Sequence, residues 1–260
     1  MRKTALILAL FASFAPSLLA QTVDEIIQKH IAASGGLDAL KSKTSMRLTA
    51  SFEMQGAPLQ MTLIRKRPNM QRSDVTFQGS SVIDAFDGVT RWKVNPFMGV
   101  TEPNKGTPEE TAETAEEADF DGPFVDSASK GYKIELVGKE MVDGKEAYHL
   151  KITSRSGREA DAYIDPETYQ EVRLVRKAQT EMGEQTIDLR SSDYRMVDGV
   201  AVAHSMQMTA GPMDMNIKVD KVEWNVDLPD SLFKMPAPTP APAAQAPAPT
   251  PTPPTPAPQP

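Results

Sequence analysis

The sequence predicts a mainly β domain, an antiparallel meander of about ten or eleven strands covered by short α-helices. Three observations carry this expectation. Apolar and polar residues alternate with a period of two through much of the chain, turn dipeptides separate the alternating runs, and two capping boxes mark helix starts.

From the N-terminus, Met1-Arg2-Lys3 precedes an apolar run from Ala5 to Phe14, and Pro16 leads into Ser17-Leu18-Leu19-Ala20. A basic start, a greasy stretch and a small-residue exit are the order of a secretory signal, so residues 1–20 are expected to be removed after Ala20, leaving a mature periplasmic chain that begins at Gln21. The next signal is helical. Thr22-Val23-Asp24-Glu25 is a capping box, Val23, Ile26, Ile27, His30 and Ile31 share one face, and Gly35 supplies a stop. Such a helix has one apolar side with which to dock on a sheet.

Ser45 to Met54 is the clearest strand: Met46, Leu48, Ala50, Phe52 and Met54 are apolar, whereas Ser45, Arg47, Thr49, Ser51 and Glu53 are not. Leu59, Met61 and Leu63 then alternate with Gln60 and Thr62, Trp92 and Val94 with Arg91 and Lys93, and Tyr148, Leu150 and Ile152 with His149 and Lys151. Further strands are expected around Val172 and Leu174, around Ile187 and Leu189, over Val202 to Met208, and over Met213 to Val219. Gln55-Gly56, Asp87-Gly88, Asp143-Gly144, Ser156-Gly157, Asp165-Pro166, Met182-Gly183 and Asp198-Gly199 are the turns between them. Strands with one apolar face cannot stay a flat sheet in water; the sheet must curl, pair with a second sheet, or be covered by helices.

A second capping box, Thr107-Pro108-Glu109-Glu110, has proline at the first helical position and predicts a helix running towards Asp119. Glu109, Glu110, Glu113, Glu116, Glu117, Asp119 and Asp121 follow one another with no Lys or Arg between Lys105 and Lys130. Without histidine or an EF-hand spacing, this reads as a solvated helix face in a lid between strands, not as a metal site. At the far end, 12 of the 22 prolines fall between Pro236 and Pro260, interleaved with Ala, Thr and Gln. That composition cannot bury enough surface to order itself, so residues 236–260 are expected to be a disordered, extended tail.

Composition narrows the function classes. Residues 21–235 suit a single β-domain, and 40% hydrophobic with 24% charged residues is ordinary for a globular chain. The absence of cysteine excludes disulfides, thiolate metal sites, a cysteine nucleophile and a lipid-modified cysteine. Loss of Arg2 and Lys3 with the signal takes the formal charge from −7 to −9, which disfavours nucleic acid and anionic bilayer surfaces as partners. His30, His149 and His204 sit in no metal or triad motif, and there is no Gly-rich phosphate loop or Gly-x-Ser-x-Gly elbow, so no enzyme is expected and no cofactor. Two carboxylates distant in sequence could still serve a glycosidase. Methionine is unusually frequent on the strands, at Met46, Met54, Met61, Met206, Met208, Met213 and Met215. Flexible thioethers suit either an adaptable core or a surface that accepts variable chains.

Lys66-Arg67-Pro68-Asn69 and Asp87-Gly88-x-x-x-Trp92-x-x-Asn95-Pro96-Phe97, following a strand such as Thr49-Ala50-Ser51-Phe52, resemble the LolA-like carriers of outer-membrane lipoproteins. Leu232-Phe233-Lys234-Met235-Pro236 is similar to that family's closing Phe and Pro. The resemblance implies a strongly curved, incomplete β-barrel whose apolar concavity is closed by helices and receives acyl chains of lipoproteins or other lipids, with membrane-embedded delivery or acceptor proteins as partners. It also implies Arg67 as the lid latch and maps Trp92 and Phe97 onto the motif's aromatic pair; with Phe52 and Leu63 from the apolar face of the alternating strands, these are the expected ligand-binding residues. The Gly35-Gly36 helix exit, the acidic insertion and the Pro-rich tail depart from the family pattern. Related folds also serve as envelope sensors or scaffolds that regulate a membrane partner, which is the alternative reading.

Overall fold

The computed structural model describes residues 21–54, 56–180 and 183–237. The expected signal at 1–20, the turn residues Gln55 and Met182, and the Pro-rich tail from Pro238 onward lie outside the described residues.

Thirteen strands form one antiparallel sheet, in place of the expected ten or eleven. They are β1 (Ser45–Met54), β2 (Ala57–Lys66), β3 (Met70–Phe77), β4 (Ser80–Phe86), β5 (Arg91–Asn95), β6 (Val100–Lys105), β7 (Lys133–Val142), β8 (Lys145–Thr153), β9 (Glu159–Ile164), β10 (Glu171–Thr180), β11 (Gly183–Val197), β12 (Val200–Ala210) and β13 (Met213–Trp224). Alternation leaves several of these unmarked for local reasons. In β3, Arg72 and Asp74 occupy one face and pair with each other; β4 sets Val82 beside Ile83; β6 carries Pro103; β7 slips register at Gly138; β9 faces the core with Ala160 and Ala162.

The spatial order is β6-β5-β4-β3-β2-β1-β13-β12-β11-β10-β9-β8-β7. The chain therefore walks out along one arm from β1 to β6, crosses to the opposite edge through residues 106–132, and walks back from β7 to β13, which pairs with β1. β6 and β7 remain the two edges, so the sheet is not closed into a barrel. Pro103 on one edge and the charges of Lys133, Glu135 and Lys139 on the other discourage pairing with another chain.

The first helix, α1 (Val23–Ala33), forms as its sequence predicts: Thr22 accepts from the Glu25 amide and the Glu25 carboxylate accepts from the Thr22 amide. Its exit needs glycine for two reasons. Gly35 has φ 119°, and a Cβ there would stand 2.0 Å from the Gly199 carbonyl oxygen in the β11–β12 turn. The helix end is bonded to that hairpin, since the Ala201 amide donates to the Ser34 carbonyl. Two shorter helices, α2 (Leu37–Lys41) and α4 (Ser127–Lys130), and the acidic α3 (Pro108–Glu117) complete the chain. The second capping box is also present, with Thr107 as N-cap of α3.

Directly paired residues in a sheet point to the same face. On one face Phe52, Ile217 and Met206 pair in succession, and so do Met215, Met208, Leu189, Leu174, Ala162, Leu150 and Leu136 from β13 to β7. Ala50, Met61, Val75 and Val82 continue that face from β1 to β4. Both apolar clusters therefore lie on one surface: Met46, Leu48, Ala50, Phe52, Leu59 and Ile217 in the first, and Leu150, Ile152, Ala162 and Ile164, covered by Ile26 and Ile27 of α1 and by Phe124, in the second. The reverse face carries Ile64 under Leu228 and Phe233, and a small cluster of Val142, Ala147 and Tyr163.

Glu171 starts β10 where its pairing with β9 slips, and burial pushes its carboxyl up to about 7 from 4.5. A raised folded-state value means the folded chain holds this proton more tightly than the unfolded chain, so stability falls as pH rises through the window from 4.5 to about 7. Glu171→Gln is expected to gain about 1–3 kcal/mol in urea denaturation at about pH 8 and nothing at about pH 4. Equal gains at both pH values would contradict the assignment.

Candidate functional site

The segment joining the two edges lies across the shared apolar face. Its carboxylates, expected to be solvated, meet cations carried by the sheet or its loops instead: Glu110 with Arg91 at 3.1 Å, Glu113 and Glu116 with Arg158 at 3.1 and 2.7 Å, Glu117 with Arg176 at 2.5 Å, and Asp121 with Arg67 at 2.5 Å. Asp119 meets Lys130 beyond it at 2.6 Å. The reason sequence reading misses these pairs is distance along the chain, since each strand-borne partner belongs to a different strand or turn. Burial pushes the Glu117 carboxyl up against the pull of Arg176, while hydrogen bonds from Arg67 hold the Asp121 carboxyl below its usual range.

These pairs also measure the bend of the sheet. Arg91 is on β5 and Arg176 on β10, eight positions apart in strand order, which in a flat sheet would separate them by about 38 Å. Glu110 and Glu117, which hold them, are only about 10 Å apart along α3. Two side-chain lengths at each end do not bridge the difference unless the sheet curls around the segment. The apolar face is therefore concave, and α3 with the turn after it is its lid.

Arg67, expected as latch, follows β2 and reaches three elements at once. Its Nε donates to the Lys43 carbonyl at 2.6 Å, Nη2 to the Leu40 carbonyl of α2 at 3.1 Å, and both terminal nitrogens to Asp121 of the lid. The guanidinium lies 4.7 Å from the ring centre of Phe120, whose side chain packs against the concave cluster. The preceding basic residues diverge: Arg65 faces the concavity, while Lys66 donates to the Leu228 carbonyl and to Asp230 on the outer side.

The expected ligand-binding residues separate. Phe52 is buried in the concave cluster, and Leu63, paired with Leu48, packs on its edge. Phe97 sits exposed in a 3-10 turn, Pro96–Met98, its ring centre 5.8 Å from that of Phe77, so it stands at the rim. Trp92 does not share this face. Leu63 pairs with Ser73, Ser73 with Asp84, and Asp84 with Lys93, which leaves the adjacent Trp92 on the convex side. There it is fully buried and donates its indole N–H to the Phe233 carbonyl at 2.7 Å. The other tryptophan, Trp224, pairs with Met46 and packs on the concave cluster. Alternation within β5 separates Trp92 from Arg91 and Lys93, but only the register through β4, β3 and β2 decides which of the two sets faces inward.

Met46, Met61, Met206, Met208 and Met215 all belong to the concave cluster, so the unusual methionine content is concentrated there. A cleft of about 310 Å³ opens beside the lid among Pro68, Ala115, Glu116, Asp119, Lys130 and Tyr132, but the space beside Met46 is small. A cavity of about 70 Å³ remains among Leu40, Lys43, Met46, Arg65, Phe120, Asp121 and Trp224, room for about two waters. A wider cleft of about 400 Å³ opens on the convex side, but Asp143, Lys145, Glu146, Arg190 and Gln207 line it, which does not suit an apolar ligand. Among the described residues no cluster of His, Asp and Glu is arranged to hold a metal ion. His149 stands between Glu140 and Asp161, His30 contacts the Tyr169 carbonyl, and His204 the Val202 carbonyl.

No protein-family model matches the chain, and no curated protein matches it. Solved structures do. A DUF1329 family protein from Desulfovibrio piger is 14% identical with a TM-score of 0.52, the match covering 83% of this chain and 98% of that one. A putative outer membrane lipoprotein-sorting protein domain from Vibrio parahaemolyticus is 14% identical with a TM-score of 0.51, covering 81% and 95%. A LolA superfamily protein from Nitrosomonas europaea is 13% identical with a TM-score of 0.52, covering 83% and 98%. An open, curled antiparallel sheet with a helical lid over its apolar face, matched over nearly the full length of these structures, is the LolA-like fold, and this chain has it.

Proposed function

We propose that the protein is a periplasmic carrier that holds acyl chains of lipoproteins or other lipids on the concave face beneath the lid, and exchanges them with membrane-embedded donor or acceptor proteins. The observation that carries this reading is how the apolar surface is closed. One continuous concave face, rich in methionine, is covered by a segment that presses Phe120 and Phe124 onto it and is tied to the sheet along its margin by ion pairs. These pairs are partly buried, so each costs more to exchange for hydration than an exposed pair, at about 0–1 kcal/mol, yet opening them exposes far less apolar surface than a wholly apolar cover would. The cavity of about 70 Å³ cannot hold an acyl chain, so loading requires the lid to lift and the methionines to repack. Each methylene then buried contributes up to about 0.8 kcal/mol.

Arg67 is the residue on which release should depend, because it joins the lid to α2 and to the end of β2. Arg67→Leu removes no buried apolar volume but leaves Asp121 without its main partner, a loss of about 1–3 kcal/mol concentrated in the lid. Protein loaded with a fluorescent fatty acid should release it to acceptor vesicles about tenfold faster in this variant, with the sheet intact by circular dichroism. A wild-type protein that retains no fatty acid contradicts the carrier reading. Equal release rates contradict the latch.

A further inference from the structure

One row across three neighbouring strands sets Trp224 of β13, Met46 of β1 and Arg65 of β2 side by side on the concave face. The outer members of this row carry two buried nitrogen donors with no hydrogen-bond partner among the described residues, Trp224 Nε1 and Arg65 Nε. Both residues line the same cavity of about 70 Å³. The arrangement is specific to these atoms. Arg65 Nη2 donates to the Asp119 carbonyl at 2.7 Å, and the indole of Trp92 is satisfied by Phe233.

The charged side chains of the other lining residues are engaged. Lys43 Nζ donates to the Asp198 carbonyl at 2.7 Å, and both oxygens of Asp121 accept from Arg67. Among the side chains of the lining the unpaired groups are therefore donors. Leaving a buried N–H unpaired costs roughly 1–3 kcal/mol, and here two such groups belong to residues that line one cavity. Burial also pulls the Arg65 guanidinium down from its ordinary value, with Asp119 and Asp121 opposing, so this cation is poorly hydrated where it stands. What such a site lacks is an oxygen acceptor at the head of an apolar chain.

We infer that this cavity is the seat of the ligand's acyl carbonyl oxygen, which accepts from Trp224 Nε1 and Arg65 Nε while its chain runs over Met46, Leu48, Ala50 and Phe52. The inference rests on the carrier reading and adds a chemical class to it: an acyl ester or amide carbonyl, or the carboxylate of a free fatty acid. The cavity is the right size for the head alone, and the apolar row beginning at Met46 gives the chain its direction.

The test compares methyl palmitate, palmitic acid and diphenylhexatriene, which has no oxygen, on the mature protein and on Trp224→Phe, a substitution that keeps a smaller aromatic ring and removes the donor, so that diphenylhexatriene controls for the lost volume. Binding of methyl palmitate and palmitic acid is expected to weaken about tenfold in the variant, with diphenylhexatriene unchanged. Weakening of palmitic acid alone also supports the site and assigns the head as a free carboxylate. Unchanged binding of both oxygenated probes, or equal weakening of all three, overturns the site while the carrier reading stands. Failure of all three to bind the unmodified protein overturns both. Arg65→Met repeats the comparison from the other donor, and its selectivity for the oxygenated probes must match.

Discussion

Replacing Trp92 with alanine is expected to destabilise the protein by about 3–5 kcal/mol, the cost of deleting a large buried aromatic side chain. Trp92 is 1% exposed and lies in a row with Ala85, Arg72 and Ile64 on the convex face. Leu228 and Phe233 of the C-terminal segment pack on Ile64, and that segment is tied down by the Trp92 indole and by Arg72, which donates to the Leu232 carbonyl at 2.9 Å. Alanine opens a cavity and orphans the Phe233 carbonyl together, so the segment should detach from the outside of the sheet. Urea denaturation should show a lower midpoint, and the protein that remains folded should bind acyl ligands as before, because the damage is on the opposite side from the concavity. A stability unchanged within error would mean that the C-terminal segment contributes nothing to the fold.

The same residue shows where the sequence was legible and where it was not. Ser45–Met54 could be read residue by residue, because its apolar positions all fall on one parity and one face is wet. Both capping boxes were equally readable, being local hydrogen-bonding patterns complete within four residues. Trp92 lies in an equally clear alternation, yet alternation gives only parity within a strand. Which parity faces inward depends on the register with β4, β3 and β2, and that register turns Trp92 outward. The convex face is apolar at this point only because the C-terminal segment returns to cover it, a contact between residues 141 apart in sequence.

The acidic lid was misread for a related reason. Seven carboxylates within residues 109–121 and no cation among them look solvated in one dimension. In three dimensions Arg91, Arg158, Arg176 and Arg67 are brought to them by a sheet that curls, and the curl itself is absent from any local pattern. The other strands share this dependence on context: β9 offers Ala160 and Ala162 to the core before Ile164, too weak an alternation to stand out, and β7 is interrupted by a bulge at Gly138. Arg65 and Trp224 carried no local signal at all, since their significance lies in sharing a row with Met46 across three strands.

Fluorescence quenching by a brominated fatty acid tests the central claim most directly, because the two tryptophans stand on opposite faces of one sheet. Trp224 packs on the concave cluster and lines the cavity beside Arg65, whereas Trp92 is sealed beneath the C-terminal segment on the convex side. Bromine quenches by near contact, so a chain lying in the concavity should extinguish the Trp224 emission and leave that of Trp92. Titration of Trp92→Phe should therefore keep nearly all of the wild-type quenching, and titration of Trp224→Phe should lose it. Quenching that disappears in Trp92→Phe, or that is absent from the wild-type protein at fatty acid concentrations below micelle formation, would contradict an acyl site on the concave face.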